Sequence, residues 1–218
     1  MRRPRTQGSP RHRGRSLKGK PAPDGIETFF EVRTRDSELL PEEFARLPRR
    51  PIHIVLDNLR SAFNVGSIFR LADAARAAEV ITCGYTACPP HHKLEQTSLG
   101  TTDSVPWRRF EDTVSALADL KGNGVQVVAV ETARGATLFH RFVYRFPVAL
   151  VLGNEALGIS EAALRMCDAV VEIPVFGYKN SINVATAAGV VLYGILRQGN
   201  WLDDPASTRP GETSGSVT

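Results

Sequence analysis

The sequence predicts an α/β domain built on a mostly parallel sheet with helices on both faces. Short runs rich in β-branched and other apolar residues recur along the chain, and between them apolar residues fall at helical spacing. The strand-like runs are apolar throughout instead of alternating, which is the pattern of strands covered on both sides. Size agrees: 218 residues, 42% of them hydrophobic, suffice for one domain of about 150 residues with tails.

Residues 1–24 combine Arg, Pro, Gly and Ser without an aromatic residue, so they bury too little surface to offset ordering entropy and are expected to form a disordered basic arm. A lead-in follows over 25–50, with Phe29, Phe30 and a short helix at 41–47. The domain itself is expected over 51–200. Its first strand is PIHIVL (51–56), followed by a helix over 64–78 with Val65, Ile68, Phe69, Ala72 and Ala75 on one face. EVITC (79–83) is a second strand, and a polar loop over 89–102 follows it, able to meet RNA phosphates or simply to be solvated. A helix over 111–120 carries Val114, Leu117 and Leu120; Gly122 and Gly124 stop it. QVVAV (126–130), PVALVL (147–152) and AVVEI (169–173) are three more strands, with a short helix at 161–166 behind Ser160. The last helix, 181–197, is apolar nearly all round. The tail, 201–218, is rich in Asp, Pro, Ser, Thr and Gly and is expected to be disordered.

Formal charge is +4, yet eight of the 27 bases precede the first acid, Asp24; the remaining 19 bases face 23 acids, a net of −4. The basic surplus thus belongs to the arm, which is expected to add non-specific, salt-sensitive affinity for RNA. No apolar run reaches the roughly 18–20 residues that span a bilayer, and no apolar signal segment follows the basic start. A cytoplasmic protein without a membrane partner is expected. Cys83, Cys88 and Cys167, an odd count, fit a reducing compartment. Cys83, Cys88, His91 and His92 match no common zinc spacing and have no second ligand pair downstream, so no metal is expected. G-x-G-x-x-G after a strand, G-x-x-x-x-G-K-[ST] and G-x-S-x-G are all missing from the sequence, which removes familiar dinucleotide, NTPase and hydrolase chemistry.

Three segments are chemically unusual for their positions at the carboxyl ends of buried strands, where such sheets bind ligands. In the first, Asn64 suits a helix cap, but Arg70 lies nearly two turns on between apolar Phe69 and Leu71. A half-buried guanidinium there needs an anionic or hydroxyl partner, a structural salt bridge being the commoner one. In the second, a buried strand runs straight into Gly153-Asn154-Glu155, with Gly158 and Ser160 after it. In the third, a strand stops at Pro174 and Ser181-x-Asn183 opens the apolar last helix. Ser181 suits its cap; Asn183 inside the first turn is unexpected.

In order and spacing these segments resemble the three signature motifs of the SpoU (TrmH-like) branch of the SPOUT RNA methyltransferases: Asn64-x-Gly66-x-x-x-Arg70, Leu152-Gly153-x-Glu155-x-x-Gly158-x-Ser160, and Ile173-Pro174 leading to Ser181-x-Asn183-Val184. The resemblance extends over about 51–198, through Leu192-Tyr193 and Arg197-Gln198. It implies an α/β domain whose C-terminal part forms a deep trefoil knot. It implies S-adenosylmethionine as methyl donor, bound in that knot largely through backbone groups, with Leu152, Gly153, Asn154, Ile173, Pro174 and Ile182 at the matching positions and Thr132 beside them. It implies a homodimer assembled through the helices of the first and third motifs, which completes a site holding Asn64, Arg70, Glu155, Ser181 and Asn183. The implied reaction is transfer of a methyl group to a ribose 2′-oxygen of tRNA or rRNA, with Arg70 stabilising negative charge on that oxygen. The third motif usually reads Ile-Pro-Met and Ser-Leu-Asn; Val175 and Ile182 keep its apolar wall. Many members carry a folded RNA-binding domain ahead of the catalytic one, where this sequence has the arm and lead-in. Two other readings stay open: a knotted RNA-binding or ribosome-assembly factor without turnover, and a base methyltransferase of the wider superfamily.

Overall fold

The structure, a computed structural model, describes residues 41–202. The expectations for the arm, most of the lead-in and nearly all of the tail lie outside them. The chain divides into two units, residues 1–44 with 205–218 and residues 45–204. Of the first, only residues 41–44 are described; they open α1 (Pro41–Arg46).

The second unit is an all-parallel, seven-stranded sheet with the order β3-β2-β1-β6-β4-β7-β5. The five predicted strands are β1 (Arg50–Asp57), β2 (Ala77–Cys83), β4 (Gln126–Val130), β6 (Val148–Gly153) and β7 (Ala169–Glu172). The remaining two, β3 (Trp107–Phe110) and β5 (Thr137–Leu138), lie at the edges. An edge strand meets water on one side and needs no continuous apolar run, so neither has the pattern that reveals the inner strands.

Helices cover both faces. Ile52, Ile54 and Leu56 of β1 pack with Val65, Ile68 and Phe69 of α2 (Ala62–Ala74) and Val191, Leu192 and Ile195 of α7 (Val184–Gln198). Val55, on the other face, packs with Leu117 and Leu120 of α5 (Thr113–Gly122) and Ala163 of α6 (Glu161–Met166). Each of the Val, Leu, Ile and Phe side chains among these, fully buried, contributes about 1.5–3 kcal/mol. Gly124, with φ +75°, turns the chain after α5 as expected of a helix stop.

The expected polar loop over 89–102 is instead two short helices, α3 (His92–Ser98) and α4 (Thr101–Ser104). Leu94 is the one large apolar side chain that α3 buries, too little to give a periodic signal. Gly66 of the first motif is explained here. A Cβ at this position would lie 2.7 Å from the Leu94 carbonyl oxygen and 2.5 Å from Thr97 Oγ1, so only glycine lets α2 and α3 approach so closely.

β1 and β6 are neighbours, with Asp57 level with Gly153. From β1 the chain builds outward through β2 to β3, then returns to start β4 on the far side of β6. The carboxyl ends of β1 and β6 therefore lie where the strand order reverses, the place at which open α/β sheets hold ligands.

Candidate active site

The loops that follow β1, β6, β4 and β7 meet at this edge, and one chain of hydrogen bonds ties three of them together. Ser61, not Asn64, caps α2: its Oγ accepts from the Asn64 amide N at 3.3 Å. Asn64 is therefore inside the first turn with its side chain free to reach outward. Its Nδ2 donates to Glu155 Oε1 at 2.7 Å, and its Oδ1 accepts from Asn183 Nδ2 at 3.1 Å. The other end of Asn183 caps α7, Oδ1 accepting from the amides of Ala185 (2.9 Å) and Thr186 (3.2 Å). Asn183 thus takes the capping role expected of Ser181, which is exposed. Glu155 completes the chain by accepting from the amides of Arg60 (2.8 Å) and Ser61 (3.1 Å) at the start of α2. Burial works against its charge, but these donors, led by the Arg60 amide and the Asn64 side chain, outweigh it and hold the carboxyl below its ordinary range. The positive end of the α2 dipole acts in the same direction.

A second layer holds these loops in place. Asp57, almost fully buried at the end of β1, accepts from Thr113 Oγ1 (2.5 Å), Asn58 Nδ2 (2.9 Å) and the Ser160 amide (2.7 Å). Asn154, also buried, donates from Nδ2 to the Asn58 carbonyl (2.8 Å) and to Tyr85 Oη (2.6 Å). Its Oδ1 accepts from the amides of Ala156 and Leu157, and its backbone pairs with Gly158. Every polar group of Asn154 is thereby engaged in shaping the turn that presents Glu155. Glu131, just past β4, accepts from the amides of Thr132 (3.1 Å) and Ile159 (3.0 Å) and joins the β4 loop to that turn. A Cβ on Gly153 would come within 2.3 Å of the Gly158–Ile159 backbone, which explains the glycine. Asp57, Glu131 and Tyr85 were not singled out in the sequence. The readable signal for the two acids is a carboxylate ending an otherwise apolar strand, PIHIVLD and QVVAVE.

The residues expected to bind the donor lie along the same edge. Leu152 and Gly153 are buried at the end of β6; Thr132 is exposed just after β4; Ile173 and Pro174 are half-buried just after β7. Since β6, β4 and β7 are consecutive in the sheet, these positions adjoin. Ile182 is 40% exposed just before α7. Arg70 differs from its expectation. It is exposed, and no hydrogen bond or ion pair reaches it among the described residues. Phe69 is buried, but consecutive helical residues point about 100° apart, so an apolar neighbour in sequence does not bury Arg70. Six residues beyond Asn64 on α2, it projects from a different side of the helix and is not brought to Glu155 within one chain.

Comparison with known proteins bears on this arrangement. The model of the SpoU rRNA Methylase family matches residues 51–193. A putative TrmH family tRNA/rRNA methyltransferase of Staphylococcus saprophyticus is 30% identical over 70% of this chain and 61% of its own length. The chain therefore spans less than two thirds of that relative. The crystal structure of the SpoU methyltransferase AviRb from Streptomyces viridochromogenes, in complex with AdoMet, matches with a TM-score of 0.65 at 29% identity, covering 71% of this chain and 60% of that one. A structure described as giving insight into the 2-OH methylation of C/U34 on tRNA matches with a TM-score of 0.63 at 26% identity, covering 69% of this chain and 97% of that one. With the family model matching most of the chain and all three of its sequence motifs converging on one edge of the sheet, the chain belongs to the SpoU rRNA methylase family.

Proposed function

We propose that residues 51–200 are the catalytic domain of an S-adenosylmethionine-dependent methyltransferase that modifies a ribose 2′-oxygen of tRNA or rRNA. The observation that carries this reading is the Glu155–Asn64–Asn183 chain, which joins residues 119 positions apart in sequence at the carboxyl edge of the sheet. A non-catalytic RNA-binding factor has no need of such a polar constellation. The relatives' names and the AdoMet complex of AviRb point the same way.

The donor set suits S-adenosylmethionine. Half-buried Ile173 and Pro174 and buried Leu152 offer apolar walls at adjoining strand ends, and the negative charges of Glu131 and Glu155, on the loops after β4 and β6, favour a cationic ligand at this edge. When bound, this donor supplies a methyl group on a sulfonium that departs as a neutral thioether. Thr132, Leu152, Gly153, Ile173, Pro174 and Ile182 would line its site, with Asn154 holding the turn. The knot expected of the family would close around it.

The chain's own residues must then make a hydroxyl nucleophilic. A guanidinium, with a pKa above about 12, is a poor base but a strong donor. Arg70 stabilises the charge growing on the 2′-oxygen; Asn64 and Glu155 orient the ribose, and Ser181 and Asn183 shape the pocket. Since Arg70 projects away from Glu155 in its own chain, it serves the site of a second copy in a homodimer. The exposed apolar side chains of Phe63 (48%), Val190 (37%) and Tyr193 (46%), on α2 and α7, support that pairing. No helix among the described residues is long and apolar enough to cross a membrane. A cytoplasmic enzyme acting on tRNA or rRNA, with the basic arm adding salt-sensitive affinity, fits these features.

Two measurements test the reading. Calorimetric titration should give one S-adenosylmethionine site per chain, and nucleotide-resolution mapping of RNA from cells with and without the protein should show one or more 2′-O-methyl marks that depend on it. Failure to bind the donor would favour the RNA-binding factor, and a mark on a base would favour a base methyltransferase.

A further inference from the structure

The connection between β7 and α7 carries the two most exposed aromatic side chains among the described residues. Phe176 is 95% exposed, and Tyr178 is fully exposed. A globular protein gains nothing by presenting two aromatic rings to water two residues apart, and no side chain among the described residues covers either ring. The loop is held at both ends by the candidate site: Ile173 and Pro174 follow β7, and Asn183 is bonded to Asn64. Tyr178 is five residues from Asn183, so the chain cannot carry it more than about 18 Å away. From Ile173 to Asn183 there is no acid, and Lys179 is exposed with no ion pair among the described residues. Arg60 and Arg134, at the ends of β1 and β4, are exposed in the same way. Three cations elsewhere on the described residues are held by acids, Arg108 by Glu79 and Asp119, Lys121 by Asp168 and Arg165 by Glu161, whereas these three at the edge are not.

We propose that Phe176 and Tyr178 form a stacking platform for unpaired bases next to the target ribose, with Lys179 on an adjoining phosphate. The substrate would then be single-stranded at the modified position, as in a loop or bulge. In a duplex the bases already stack on each other and offer no faces, whereas unstacked bases are what aromatic side chains recognise. This rests on the methyltransferase reading for the meaning of "target", but its test does not.

The test measures fluorescence anisotropy of the full chain with a labelled 15-nucleotide RNA of mixed sequence, single-stranded or annealed to its complement, without S-adenosylmethionine. Phe176→Ala and Tyr178→Ala should each weaken binding of the single strand by roughly 5- to 150-fold. Binding of the duplex and the salt slope should stay nearly unchanged. Lys179→Ala should reduce the slope of log K against log salt by about 0.7. Phe176→Tyr and Tyr178→Phe should keep wild-type affinity, while Phe176→Leu should not, because a leucine has bulk but no aromatic face. Single-strand affinity unchanged in the alanine variants, or restored by leucine, would overturn the proposal. So would a loss accompanied by weaker S-adenosylmethionine binding or altered sedimentation, since the loop would then be a donor lid or a contact between copies. A wild-type protein that shows the stacking behaviour yet transfers no methyl would remove the enzyme reading alone.

Discussion

Asn64 is the hinge of the site's polar chain, because its amide faces a carboxylate on one side and another amide on the other. Only a side chain with a donor and an acceptor can satisfy Glu155 and Asn183 together. Asn64→Asp removes the donor and sets a second carboxylate beside Glu155. Two carboxylates in contact cannot both ionise freely, so the apparent pKa of the pair rises above that of Glu155 alone, which the native donors hold low. Below that raised pKa one shared proton restores the missing donor. On the proposed function, methyl transfer by Asn64→Asp should therefore fall at least tenfold at pH 8 and recover in part as pH drops toward 5, while the wild-type protein should show no such recovery. A pH–rate profile checks this; a variant equally inactive at both ends would show that Asn64 acts through shape alone. The positions of Asn64, Glu155 and Asn183 were legible in the sequence through the resemblance of their three segments to the family's motifs. Which of them capped a helix was not, because Ser61 and Asn64, or Ser181 and Asn183, have equal chemical claims to a cap and only the backbone decides. Arg70 is exposed where its apolar neighbours suggest burial for a related reason: sequence neighbours on a helix do not share a face.

At the scale of elements, the edge strand β3 shows what patterning leaves unread. Its residues, WRRF, are not a core sequence, and electrostatics helps fasten it to the sheet. Arg108 donates to both oxygens of Glu79 on β2 and, through Nη1, to Asp119 on α5; His53 of β1 meets Glu79 at 2.8 Å. Burial alone would raise the carboxyl's pKa, but His53 and Arg108 overcome it and hold Glu79 at about 2, down from 4.5. A pKa lower in the folded than in the unfolded chain stabilises fully above 4.5, and that contribution is lost as pH falls through about 2. Since Arg108 is 41% exposed, solvent screening reduces the effect. Glu79→Gln should lower unfolding stability by about 1–3 kcal/mol at pH 7. Urea titrations followed by circular dichroism at stepwise lower pH should show the gap to wild type narrowing below pH 4.5. A gap independent of pH would assign the loss to packing. The inner strands and long helices could be read from the sequence because each buries a continuous apolar set; β3, β5, α3 and α4 could not, because local polar contacts and single anchors such as Leu94 hold them.

For the whole molecule, the question is whether one chain makes a complete site. The charge pattern offers no help, since the basic surplus lies in the first 20 residues and the rest of the chain is net −4. The geometry does. Glu155, Asn64 and Asn183 converge, Arg70 points elsewhere on α2, and α7, which buries Ala185, Ala188, Val191, Leu192, Ile195 and Leu196, leaves the apolar Val190 and Tyr193 exposed. If a two-fold partner covers that surface, each site takes Arg70 from the opposite copy, and the two sites of a dimer are equivalent. Inactive variants should then rescue each other. Asn64→Ala and Arg70→Ala, each inactive alone, are co-expressed with different tags, and dimers carrying both tags are purified. In such a mixed dimer one site lacks both residues while the other has both. Methyl transfer should return to roughly half the wild-type rate per dimer. A site built within one chain predicts no recovery, because each copy then carries its own lesion. Wild type paired with the Asn64→Ala, Arg70→Ala double variant is the control: crossed sites leave both halves of that dimer damaged, whereas uncrossed sites leave one intact. The two arrangements therefore give opposite results in the two mixtures, and a mixed dimer that is active in the second and silent in the first would establish that Arg70 serves its own chain.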